Sequence, residues 1–483
     1  MIYLAEAMAI SDARRHDRQS SAKAPPRQPK PSRLLEYFVI MELVCQVALL
    51  SSTLAPFRII FRTSVFGVSL LLFLVLPGYG KHHPAARAAF FVMVILGVSI
   101  LNPGVNSAMS AVAEFGLYLA VLGPLFWVSR IRIDLPEMRR VILLLWGFQV
   151  VSSIFGVLQV YFPGRFQFAV STVVQGQGAG YMAMQHFQNA YGDLVYRPMG
   201  LTDTPGGAAA AGFFAVLFAA AVFLLERRRW MQIVAGGAML VGMMAIYLSQ
   251  VRVMLVMEVV CMLTFVTLMS WRAARVANPM LGKRIGNRRL AYLTGLMALA
   301  AVGGFTWAVG LGGTAITDRV NSLTEENPGE VYEKNRGQFL SYTIDDVLPE
   351  YPLGAGPGRW GMMFYYFGHQ DNAKNPGLWA EIQWTGWLYD GGIALVLVYS
   401  LALVLAFRVA YKIALNQVSA ELATLAGLIF AYDVGVLAAT FDSCIFIGGD
   451  GLDFWMLNAM LFNAAYQTLR RKPVRKPAEA LSA

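Results

Sequence analysis

The sequence predicts an all-α integral membrane protein of about twelve transmembrane helices with both termini on the cytoplasmic side, and three observations predict it. Hydrophobic residues make up 57% of the 483 positions and charged residues only 14%, whereas soluble domains carry about 25% charged residues. The apolar residues gather into runs of about twenty, the length that crosses a hydrocarbon core about 30 Å thick. Lys and Arg concentrate in every second connection between those runs, the distribution that marks cytoplasmic loops.

Residues 1–33 are polar, with seven Arg or Lys side chains from Arg14 to Arg33 and a Pro-rich stretch. They read as a disordered cytoplasmic tail, because no short apolar core with a small-residue cleavage site precedes Arg33. The membrane domain spans 34–468, with helices expected at 34–54, 57–77, 86–102, 107–129, 139–162, 206–225, 231–249, 251–271, 291–311, 387–407, 418–440 and 451–468. Basic connections at 81–87, 130–140, 227–229, 272–289 and 408–412, and the basic tail 469–483, fall on one side if the helix count is even. Two long connections, 163–205 and 312–386, then face the opposite, non-cytoplasmic side. The second lies between helices 9 and 10 and carries Trp360, Phe364, Tyr365, Tyr366, Phe367, Trp379 and Trp384, enough apolar surface to fold as short helices over the bundle.

The net charge of +10 does not point to nucleic acid, since it is spread through short inter-helix turns and not gathered into a patch. Cys45, Cys261 and Cys444 lie in or beside apolar runs and read as small core hydrophobes. Of the five histidines only His186 and His369 fall on the outer side, too few for a His-based metal site. Neither a metal nor a cofactor is expected, and the lipid bilayer is the obligatory surrounding.

Arginines on the outer side call for a separate reason, because orientation does not explain them. Arg58 and Arg62 stand four apart, on one helix face. Arg252 interrupts an apolar stretch at an outer turn, where a charge is costly unless it is paired or faces a polar cavity. Arg197 ends the first long connection, and Arg319 and Arg336 lie in the second. Such a set suits a diphosphate, because a guanidinium is planar, permanently charged and binds phosphate oxygens in pairs. Nearby carboxylates are Asp203, Asp318, Glu333, Asp345, Asp346, Glu381 and Asp390, any of which could act as a general base beside a sugar hydroxyl.

Four segments resemble one family, the O-antigen ligase and O-antigen polymerase superfamily of bacterial envelope glycan assembly. The first is Arg197-Pro198-Met199-Gly200 running on to Pro205-Gly206-Gly207, and the second is Ser249-Gln250-Val251-Arg252. The third begins at Arg336 and continues to Pro352-Leu353-Gly354-Ala355-Gly356-Pro357-Gly358, the most specific of the four. The fourth runs from Glu381 to Asp390-Gly391-Gly392, with Glu381 where ligases place a His.

The resemblance covers roughly 195–395. It implies a metal-independent, inverting glycosyltransferase of the bacterial inner membrane whose donor is a glycan on undecaprenyl diphosphate and whose active site faces the periplasm. It further implies Arg197, Arg252 and Arg336 on the leaving diphosphate and Glu381 as the base, with His369 and Asp390 as substitutes; Arg58, Arg62 and Arg319, read from their outward placement, are further substrate contacts. The Glu in place of His favours a polymerase of exopolysaccharide or O-antigen repeat units over a ligase to lipid A core. A chain-length regulator protein is the partner such a polymerase would have. A lipid-linked sugar flippase is the non-enzymatic alternative, but its polar positions belong near the midplane, whereas these sit at one surface.

Overall fold

The computed structural model describes residues 33–78, 80–170, 175, 178–276, 283–325, 327–416 and 419–470. Apart from Arg33, Leu469 and Arg470, the two expected tails lie outside the described residues. Helices occupy each expected stretch: α1 (Leu34–Ala48), α2 (Arg58–Val75), α3 (Ala86–Ser99), α4 (Ala108–Leu122), α5 (Leu135–Tyr161), α6 (Ala208–Leu225), α7 (Arg229–Ser249), α8 (Arg252–Val276) and α9 (Lys283–Gly312). After α10 (Thr314–Glu325), which begins the second long connection, come α11 (Gln383–Ala414), α12 (Ala420–Ala439) and α13 (Gly449–Arg470).

Among the described residues, nine helices are long and apolar enough to cross a membrane, which makes this an all-α, multi-pass architecture. Twelve were expected. Of the other three, α1 and α3 have 15 and 14 residues, and α13 mixes Asp450, Asp453, Asn458 and Asn463 into its apolar sequence. Helix α1 stops at Ala48 and not at 54 because Ser51, Ser52 and Thr53 offer competing hydrogen bonds, with Ser51 Oγ 2.7 Å from Thr53 Oγ1. The 107–129 stretch is divided at Gly123, where Pro124 opens a separate short helix.

Local signals explain several helix starts. Ser107, Asp134 and Ser419 each accept a hydrogen bond from the first-turn backbone of α4, α5 and α12. Helices α6 and α12 lie deepest in the array, each with 78% of its apolar span buried, whereas α2 has only 11% buried and is peripheral. Small residues let α6 and α7 meet backbone to backbone: a Cβ on Gly212 would stand 2.5 Å from the Gly242 carbonyl oxygen.

The helices place their connections at two ends. At one end Arg139 pairs with Glu226 and, at 3.7 Å, with Glu421, Arg140 pairs with Glu36 at 2.6 Å, and Arg130 donates to the Phe73 and Leu76 carbonyls. The other end holds the two long connections. Its first connection contains the only strands among the described residues, a hairpin of β1 (His186–Gln188) and β2 (Leu194–Tyr196) that the all-α expectation did not include. Ala190 N at the hairpin turn donates to Leu311 O at the end of α9, at 2.8 Å, and so seats it on the bundle.

The second long connection is folded, as expected, into α10 and further short helices, including Gln338–Tyr342 and Gly361–Phe367. It is locked down by a break in α11. Gly391 and Gly392 have non-helical φ/ψ of −154°/15° and 65°/−160°, which frees backbone groups in mid-helix. Tyr389 O accepts from Ala355 N at 2.7 Å and Gly356 N at 3.1 Å, while Ile393 N donates to Pro352 O at 3.0 Å. Buried backbone groups freed from a helix persist only where protein satisfies them, and here Pro352, Ala355 and Gly356 do so.

Candidate functional site

The Arg197–Gly200 segment is held from below by α5. Gln159 Oε1 accepts from Met199 N and Gly200 N at 2.8 and 2.9 Å, its Nε2 donates to Gly200 O, and Ser152 Oγ accepts from Leu201 N. These two buried polar residues were missed in the sequence. Their signal was there, because Ser152 and Gln159 stand seven apart on one face of the mostly apolar second half of α5.

Arg197 itself is half-buried, and its buried Nε has no hydrogen-bond partner. Burial is the main influence pushing its guanidinium down from the usual range; nearby Tyr181 opposes this and the like charge of Arg252 adds to it. It stays cationic at neutral pH. Two guanidinium groups brought together in partial burial are unfavourable alone and stabilised by an anion between them.

Arg252 opens α8 immediately after a strained turn. Gln250, the cap of α7, has φ 56° and is the only described non-glycine residue with positive φ. Such a conformation costs a side-chain-bearing residue about 1 to 3 kcal/mol and clusters at functional sites. Gln250 O accepts from Arg319 Nε at 3.3 Å, and Arg252 and Arg319 line one cleft with Tyr247, Leu255 and Ile316. The cleft measures about 20 Å³, room for a water and not for a diphosphate.

Arg62 pairs with Asp203 at 2.6 Å, which ties α2 to the segment between Arg197 and α6. Arg58, one turn earlier on α2, has a buried Nε without a partner. The first connection therefore meets Arg62 on one side, and on the other Gly206 lies against Val251, where a Cβ would sit 3.3 Å from its methyl.

The second grouping is separate in construction. Arg336 is ion-paired to Glu381 and, through Nε at 3.5 Å, to Asp442. Asp442 was not among the carboxylates singled out from the sequence, because it sits in the short connection between α12 and α13 and only the tertiary fold brings it here. Burial holds its carboxyl above the usual aspartate range; Arg336 opposes this and the Glu381 charge adds to it. Beside the ion pair lies an open depression of about 340 Å³ lined by Gln338, Phe339, Tyr342, Trp379, Glu381 and Thr385.

Two expected substitutes for the base are placed elsewhere. Asp390 is fully buried, accepting from Tyr118 Oη at 2.8 Å and Trp360 Nε1 at 2.9 Å, so its carboxylate fastens the second connection to α4 and does not face an acceptor. His369 is exposed, and its backbone is bound to Asn106 on the connection between α3 and α4. Among the described residues no group of three or more His, Cys, Asp and Glu stands where it could hold a metal ion. No protein-family model matches the chain, and no curated protein matches it in sequence.

Proposed function

We propose that this chain is a glycosyltransferase of the bacterial inner membrane that polymerises undecaprenyl-diphosphate-linked oligosaccharide repeat units. In this reading it has twelve spans, both termini in the cytoplasm and the end with the long connections facing the periplasm. The observation that carries it is the convergence of Arg197, Arg252 and Arg319 at that end, beside a strained turn and with an unsatisfied Arg197 Nε. It is the chemistry of an anion site at the membrane surface.

The acceptor hydroxyl oxygen forms a bond to the donor's anomeric carbon from the face opposite the leaving group. The bond from that carbon to the diphosphate oxygen breaks, the electron pair leaves with the carrier diphosphate, and the hydroxyl proton passes to a carboxylate. Fixed guanidinium groups are worth most where the leaving group gains charge. Glu381 is the proton acceptor in this scheme, and Asp442, sharing Arg336 with it, is the second carboxylate at the same place. Because the Arg252–Arg319 cleft is too small as it stands, donor binding requires α10 to yield.

The test is gel analysis of carrier-linked and secreted glycan from cells carrying Arg252→Ala, with the membrane level of the protein measured in parallel. Loss of long chains with single repeat units accumulating is the expected result. Normal-length polymer stranded on its carrier indicates a ligase instead. Unchanged glycan at normal protein level sinks the reading.

A further inference from the structure

We propose that the depression beside Glu381 is a carbohydrate subsite in which Trp379 stacks on one pyranose ring of the acceptor, an inference that rests on the glycosyltransferase reading and specifies its second substrate.

Three observations carry it. First, Trp379 is 69% exposed although its backbone is held on both sides: Leu378 N donates to Arg359 O at 2.7 Å, and Ala380 O accepts from Cys444 Sγ at 3.8 Å. Arg359 is itself buried and donates twice to Pro376 O, so the indole is presented by a rigid strip. Gly377 allows that strip to press on the Phe364 ring, 2.4 Å from where a Cβ would lie.

Second, the ring does not face lipid alone. It shares its depression with Gln338, Tyr342, Glu381 and Thr385, whereas a tryptophan serving only as an interfacial anchor lies among apolar neighbours and headgroups. A flat aromatic face flanked by the Gln338 amide, the Tyr342 hydroxyl and a carboxylate matches a pyranose, which has apolar C–H faces and a hydroxyl rim; the buried Thr385 hydroxyl is taken up by Thr343 Oγ1 at 2.5 Å.

Third, the size fits. About 340 Å³ is at the lower end of small-molecule pockets, suited to a short stretch of glycan and not to a large cofactor. The position also fits, since Glu381 borders the depression and is the carboxylate assigned to the acceptor proton.

The experiment uses the full chain in detergent and, as probe, the oligosaccharide repeat unit cleaved by mild acid from the producing cell's own carrier lipid. Saturation-transfer NMR reports which sugar ring protons lie against the protein. Wild type is expected to saturate one ring most strongly, and Trp379→Ala to weaken binding about tenfold, as removal of an aromatic anchor does. Trp379→Phe, which keeps a π face, retains the contact. Gln338→Ala, at an exposed position, serves should Trp379→Ala fail to fold, and is expected to weaken binding without altering the saturated ring.

Unchanged probe affinity in folded Trp379→Ala overturns the subsite, as does unchanged affinity in Gln338→Ala where Trp379→Ala does not fold, or absence of probe binding by wild type. Failure of the wider reading is separable, because Arg252→Ala is compared in cells at the same time. Glycan lost in Arg252→Ala with unaltered probe binding in Trp379→Ala sinks the subsite alone. Glycan unaltered in Arg252→Ala with weakened probe binding in Trp379→Ala leaves a sugar site standing and removes the polymerase.

Discussion

The two ends of this helical array both pair arginines with carboxylates, and differ in whether arginines also stand near one another. At the end of the short connections Arg139 and Arg140 find Glu226, Glu421 and Glu36, and Arg130 caps two carbonyls. At the other end Arg62 and Arg336 are paired as well, with Asp203 and with Glu381 and Asp442, but Arg197 feels the like charge of Arg252, and Arg319, in the same cleft as Arg252, donates to the carbonyl of a strained residue. The difference is thus the gathering of like charges at one end, whereas the other end matches each pairing arginine with an opposite charge or a carbonyl. Like charges held near each other and partly out of water are stabilised by an anion, which is the basis of the proposed function.

The comparison can be broken most severely at the glycines that seat the second connection. Gly392 has φ 65°, and a Cβ there would stand 2.3 Å from Pro352 O, so Gly392→Ala is expected to release the Gly354 to Gly358 turn from the α11 break. A cost of about 3 kcal/mol or more is the order of magnitude for such backbone strain plus overlap. Thermal unfolding of the purified protein checks it; a melting temperature equal to that of wild type would show that the interlock does not hold the loop.

Arg197→Ala comes next. About a hundredfold loss of polymer formation is expected, the size of effect seen when one fixed partner of a developing negative charge is removed. Normal insertion with normal polymer would leave the unsatisfied Nε without a functional meaning.

Asp442 sharpens the second grouping through pH. Its carboxyl is raised by burial, so its neutral form favours the folded state; that contribution is present at low pH and is lost as pH rises through the raised value. Asp442→Asn is therefore expected to flatten the decline of melting temperature above about pH 4, the ordinary aspartate range. An identical pH profile in the variant would mean that the side chain is not buried as described.

The smallest effect belongs at the opposite end. Arg139 is 38% exposed in its side chain, and surface ion pairs contribute about 0 to 1 kcal/mol, so Arg139→Ala should leave polymer unchanged and stability nearly so. A loss of polymer as large as that of Arg197→Ala would erase the distinction between the ends.

The glycine-rich stretch shows how far the sequence could be read. Gly354, Gly356 and Gly358 stood out as the most specific pattern, yet only in three dimensions do Gly354 and Gly356 prove to meet the Tyr389 carbonyl freed by Gly391 and Gly392, and Gly358 to lie against the Ser110 backbone of α4. Asp390 was legible as a polar residue in an apolar helix and was read as chemical. Its partners Tyr118 and Trp360, from distant parts of the chain, make it a fastening.

What the sequence determined by itself is the helical, membrane-spanning class and the division of the chain into helices, short basic turns and two long connections. Those follow from periodic and compositional properties that act locally, the cost of placing charge or unpaired backbone in lipid above all. The pairing of Arg336 with Glu381 and Asp442, the clamp of Gln159 on the Arg197 segment and the docking of one connection into a broken helix were decided by tertiary structure. Each joins residues far apart in the chain, and neither hydropathy nor spacing carries information about which helix ends become neighbours.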